Sequence, residues 1–180
     1  MRKLILPLLA LMSMLGVAHA EDDPTEVQYG RIAPNIWKFS VTTDAKSAGI
    51  AVQSNDVPGL QLMKFTLICA ERDGRYQLKV NLDFVVPGGP AYVMNPVADS
   101  DWPARIQIGS ASFLSNEVEP NSSEEAERAQ AVYKALAEAT GPEFHVSFSS
   151  SRVGPHEVIG TLPLYKKDEV IQKFQRFCPL

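Results

Sequence analysis

Residues 63–84 read MKFTLICAERDGRYQLKVNLDF, and the centre of this stretch decides the fold. Asp73-Gly74 is a favoured two-residue type I′ turn, because both central positions of that turn need positive φ. With the turn placed there, opposed residue numbers sum to 147. Met63 then faces Phe84, Phe65 faces Leu82, Leu67 faces Val80 and Cys69 faces Leu78, so every pair on one face is apolar. The other face sets Lys64 against Asp83 and Thr66 against Asn81, a charge pair and a polar pair suited to water. One turn satisfies both faces, which specifies a long antiparallel hairpin with one side turned to a core.

Similar runs of β-branched and aromatic residues recur on either side, separated by Gly, Pro, Asn and Asp clusters, at 36–42, 49–54, 60–69, 75–86, 104–108, 144–149 and 157–164. Seven such strands predict an α+β chain that is mainly β, an antiparallel β-sandwich or partly open barrel. PGGP at 87–90 stops the strand that begins at Arg75, and a loop is expected through Asn95-Pro96 to Trp102-Pro103.

Two helices complete the pattern. In NSSEEAERAQAVYKALAEATGP, Ser122 and Glu125 form an S-x-x-E capping box, acidic residues fill the first turn, and Gly141-Pro142 marks the end. Ala126, Ala129, Val132, Tyr133, Leu136 and Ala137 make a stripe of mostly small residues that can lie close on a sheet. In KKDEVIQKFQRFCPL, Asp168 is the expected N-cap and Pro179 the stop. Val170, Ile171, Phe174, Phe177 and Cys178 share one face of this C-terminal helix, so Cys178 points inward.

The first twenty residues, MRKLILPLLALMSMLGVAHA, carry two positive charges, an apolar run and an A-x-A exit. This reads as a bacterial signal peptide over 1–20, and the apolar run is shorter than the roughly 20 residues of a spanning helix. A loose segment over 21–34 and one domain over 35–180 are expected to follow. Taking Arg2 and Lys3 from the 17 basic residues leaves 15 against 21 acidic ones, a net charge of about −6. That sign argues against nucleic acid or an anionic membrane as partner, and no stable membrane anchor is expected once the signal is cut. The expected location is the periplasm or the medium outside the cell.

The chain has two cysteines, Cys69 on a core-facing strand position and Cys178 on a core-facing helix position. In an oxidising compartment a disulfide between them is the natural reading. It would close a loop of about 110 residues, for which chain entropy alone gives roughly 5 kcal/mol. Two buried free thiols or a redox pair are the alternatives. No C-x-x-C is present, and Cys178 stands at a helix C-terminus, which does not lower a thiol pKa.

Chemistry-bearing motifs are sparse. IGSASF at 108–113 lacks the G-x-S-x-G spacing and the following helix of a hydrolase elbow. The two histidines beyond the signal, His145 and His156, lie outside the expected helices, so no zinc pair forms on one helix face. His145 alternates with Phe144 and Val146, which places it on the outer side of a strand, while His156 follows Gly154-Pro155 in a loop. Asp99 and Asp101 could share a cation, but the central Gly and distant Glu of a calcium loop are missing. There is no P-loop and no G-x-G-x-x-G, so no cofactor is called for. Arg72 and Arg75 flank the hairpin tip, and Trp102, Arg105, Arg152 and His156 lie in or beside loops. Exposed Arg and Trp are common anchors of protein recognition, which makes these six the candidate binding surface.

The layout of Trp37, then Leu67 and Cys69 on a strand, then Ile171, Phe174 and Cys178 on a terminal helix resembles small exported proteins of poorly known function in Gram-negative bacteria, among them accessory proteins associated with type VI secretion. The resemblance implies a β-sandwich with an interacting role and brings no catalytic residue with it. The expected function is an exported, non-catalytic binding or accessory module that contacts another cell-envelope protein. A sandwich that binds a small ligand or envelope glycan, with Trp102 stacking, is the first alternative. A hydrolase using Asp101 and His156 is the second.

Overall fold

A computed structural model describes residues 32–72, 74–98, 103–115, 122–149, 153 and 156–179. The hairpin lies where the turn puts it. Strands β3 (Leu62–Arg72) and β4 (Arg75–Val85) pair antiparallel with Met63 opposite Phe84, Phe65 opposite Leu82, Leu67 opposite Val80 and Cys69 opposite Leu78. All eight of those side chains are buried. Gly74 takes the positive φ of 73° that the turn requires.

β1 (Lys38–Val41) and β2 (Ser47–Ser54) extend the hairpin on one side and β5 (Ala91–Met94) on the other, giving a five-stranded meander in the order β1-β2-β3-β4-β5. A second sheet contains β6 (Ala104–Ile108), β7 (Ala111–Leu114), β8 (Glu143–Phe148) and β9 (Val158–Pro163), in the order β7-β6-β8-β9. Both sheets are antiparallel and neither closes on itself, so the architecture is a sandwich and not a barrel. β5 and β7 were not expected. Each is a four-residue edge strand, and a run that short between turn residues carries too few alternations to stand out.

The long inner face of the first sheet is shared between two neighbours. At the end away from the turn it meets the second sheet, with Phe65 edge-on to Phe144 at 5.2 Å and Phe84 against Phe148 at 4.6 Å between ring centroids. Toward the turn it is covered by the helices α1 (Ser123–Glu138) and α2 (Lys167–Phe177), which touch through Tyr133 and Phe174 at 5.7 Å. Tyr76, beside the turn, meets Phe177 of α2 at 6.2 Å. Cys69 and Cys178 form the expected disulfide across this region, with Cα atoms 6.2 Å apart and a separation of 109 positions in sequence.

Three details depart from the sequence pattern, each with a local cause. Ser122 caps α1 by accepting from the Glu125 N–H at 3.2 Å, as the capping box requires. The Glu125 carboxylate, though, is buried and accepts from Asn95 Nδ2 at 2.6 Å, so it also holds the loop after β5. The N-cap of α2 is Lys166, in the left-handed conformation at φ 59°, and Asp168 sits inside the first turn. There its carboxylate receives the buried Lys167 ammonium at 2.7 Å, and that ammonium also donates to Ala137 O near the end of α1 at 3.2 Å. This places a cation at the negative end of α1, where the helix dipole favours it. Finally, the outward face of the first sheet is only partly wet. Lys64 and Asp83 form their ion pair, but Ile32 lies over Ala51 and Ile68, and Thr66 is buried with them.

Candidate functional site

Of the six residues expected to make a binding surface, the four described ones lie on separate elements and do not form one group. Arg72 and Arg75 are paired on the last rung of β3 and β4, at the end of the molecule where Tyr76 meets α2. Arg105 is on β6, in the other sheet. His156 is exposed just ahead of β9. Trp102 and Arg152 lie outside the described residues, as do Asp99 and Asp101.

Register assembles a different surface around Arg105. Along the second sheet Ile106, Val146, Phe144 and Leu162 point inward and are fully buried, so their neighbours in sequence point outward. Arg105 pairs with Leu114 on one side and Ser147 on the other, and Ser147 pairs with Ile159. Leu114, Arg105, Ser147 and Ile159 therefore form one row across all four strands, about 14 Å long at the usual strand spacing. Leu114 is 52 % and Ile159 55 % exposed, and Arg105 is exposed between them. Among the described residues Arg105 makes no salt bridge. An exposed guanidinium beside the exposed Leu114, with the exposed Ile159 two strands further along the same row, combines the residue types that anchor protein contacts with the apolar area that rewards desolvation.

The adjacent row is polar: Ser112, Gln107, His145 and Thr161. His145 is outward, as its alternation with Phe144 and Val146 indicates. Its Nδ1 is 3.1 Å from Thr161 Oγ1, and its Nε2 is 3.8 Å from Glu143 Oε1. Hydroxyl, imidazole and carboxylate in line invite comparison with a nucleophile, base and orienting acid. The His145 and Glu143 side chains are nearly half exposed on a flat strand face that excludes no water, and Thr161 is simply the cross-strand neighbour of His145. The cluster is a hydrogen-bonded polar row on an open strand face. IGSASF is likewise a strand hairpin, turning at Gly109 with φ 56°.

A depression of about 660 Å³, open to solvent, lies along α1 beside α2 and is lined by Glu127, Gln130, Lys134 and Gln175, among others. Tyr133 also lines it, but its hydroxyl is sealed and has no hydrogen-bond partner. Burial holds this phenol above its ordinary pKa of 10.0, and the nearby Gln175 amide acts in the opposite sense. The orphan hydroxyl is sealed from solvent and offers no bond to a molecule in the groove, so the depression is the weaker candidate.

No family model, curated protein or solved structure matches this chain. Among the described residues no helix is long and apolar enough to cross a membrane, and no cluster of three His, Cys, Asp or Glu could hold a metal. What the sequence missed is the row itself. Arg105 was legible as a single exposed cation, but Leu114, Ser147 and Ile159 become its neighbours only through the pairings of β6 with β7 and β8, and of β8 with β9.

Proposed function

We propose that the protein is an exported binding or accessory module, and that it contacts another cell-envelope protein through the outward face of its second sheet. The observation that carries this is the row of Leu114, Arg105, Ser147 and Ile159, an apolar and cationic stripe on an otherwise polar face. Export rests on the signal-like first twenty residues and agrees with a disulfide, which persists in oxidising compartments. The resemblance to small exported proteins of Gram-negative bacteria, among them accessory proteins associated with type VI secretion, is part of the same proposal and rests on the layout of Trp37, Leu67, Cys69, Ile171, Phe174 and Cys178.

Crosslinking in intact cells, followed by purification of the tagged protein, tests the contact. A defined partner should be recovered with the wild type and reduced about tenfold or more by Arg105→Glu, the size of effect expected of an interface anchor. Arg75→Glu, at the opposite end of the molecule, should leave recovery unchanged. Equal recovery with both variants would refute the assignment of this face.

A further inference from the structure

We propose that β9 is a docking edge to which an extended segment of the partner protein adds as a further strand, pairing its backbone with Ile159 and Thr161. This rests on the contact function proposed above and names its recognition chemistry. The direction of the backbone groups follows from the register. The Leu164 N–H donates to Pro142 O at 2.8 Å, and residues 142 and 164 continue the numbering in which Phe144 faces Leu162. In an antiparallel ladder hydrogen-bonded and non-hydrogen-bonded pairs alternate. Val158, Gly160 and Leu162 therefore bond to β8, while Ile159, Thr161 and Pro163 turn their N–H and C=O groups away from it. An independent bond agrees: Ser149 N–H donates to Pro103 O at 3.1 Å, which aims residues 145 and 147 of β8 at β6 and not at β9.

β9 ends the order β7-β6-β8-β9, so those outward groups face no strand of their own sheet. One end is already closed. Pro163 has no N–H, and its carbonyl accepts from Trp37 Nε1 at 2.8 Å. Among the described residues the outward backbone groups of Ile159 and Thr161 meet no hydrogen-bond partner, which leaves two donors and two acceptors in the geometry that an extended peptide satisfies. The Ile159 side chain, 55 % exposed, stands beside the position where an incoming residue would fall. An added strand would lengthen the row that runs from Leu114 through Arg105 to Ile159, which favours an apolar residue opposite Ile159.

The occupant is a segment of another protein and not a second copy of this chain. Two copies meeting at β9 would share only this two-residue opening, with Pro163 and Trp37 closing each side, far short of the ~1,000 Å² that a stable dimer buries.

Amide hydrogen exchange read by NMR tests the edge on the signal-free protein. The amides of Gly160 and Leu162 should be protected, and those of Ile159 and Thr161 should exchange about a hundredfold faster. Linear peptides enriched from a random phage-displayed library then serve as the probe. Bound peptide should slow Ile159 and Thr161 exchange about tenfold or more, and Thr161→Pro should weaken binding about tenfold, because it removes a donor and blocks the edge. Ile159→Lys keeps the backbone intact and should also weaken binding, which decides the matter if the proline variant does not fold. Protection of Ile159 and Thr161 in the free monomer would overturn the proposal. So would protection appearing only in a dimer, failure to enrich any peptide, or binding that leaves both amides unchanged. Cellular capture that is lost with Arg105→Glu and kept with Thr161→Pro would remove strand addition and leave the contact function standing, whereas indifference to both would remove both.

Discussion

The Tyr133 hydroxyl is a buried donor without an acceptor, and such groups cost stability instead of adding to it. Tyr133→Phe should therefore melt at or above the wild-type temperature at neutral pH. The phenol also titrates abnormally. Its pKa in the folded state lies above 10.0 because burial penalises the phenolate, so the folded protein holds this proton more tightly than the unfolded one. The corresponding contribution is fully present below pH 10 and is lost as the pH rises through the folded-state pKa. Unfolding measured in urea at several alkaline pH values should show the Phe variant gaining on the wild type above pH 10. A constant difference across that range would show that the hydroxyl ionises in place.

Where elements meet, Gly160 on β9 is closely packed against β3. A Cβ at this position would overlap the thioether of the fully buried Met63 on β3 and come within 3.4 Å of Val57 Cγ2. Gly160→Ala should cost about 1–3 kcal/mol, the usual penalty for overpacking a filled core, and denaturant titration measures it. An unchanged midpoint would mean that Met63 moves aside freely. Nothing in the sequence around Gly160 marks it, because its constraint comes from a strand nearly one hundred residues earlier. The elements themselves were legible to differing degrees. β3 and β4 were readable because turn chemistry and two opposed faces agree on one register, and α1 because its cap and stripe coincide. β5 and β7 were hidden by their length. The start of α2 was misplaced because a left-handed Lys166 has no sequence signature, and Asp168, which looks like a cap, serves the buried Lys167 instead.

Across the whole molecule the Cys69–Cys178 bond joins the middle strand of the first sheet to the end of α2, with both sulfurs buried. The paired variant Cys69→Ser and Cys178→Ser should lose about 2–5 kcal/mol, seen as a lower urea midpoint that no longer responds to reductant. A midpoint equal to that of the oxidised wild type would show that packing of Phe174 and Tyr133 suffices to seat α2. The same bond has a mechanical consequence. When the chain is stretched between Ile32 and Pro179, tension passes from β3 straight through the sulfurs to the last helix. β4 and β5, α1 and the entire second sheet hang from this short circuit and carry no load. Only the stretch from Ile32 to Cys69 can unravel, which limits the extension to about 130 Å at the reach of a fully drawn chain. A partner held on β9 would ride on the shielded part, and a pull on either end of the protein would not tear that strand from its sheet.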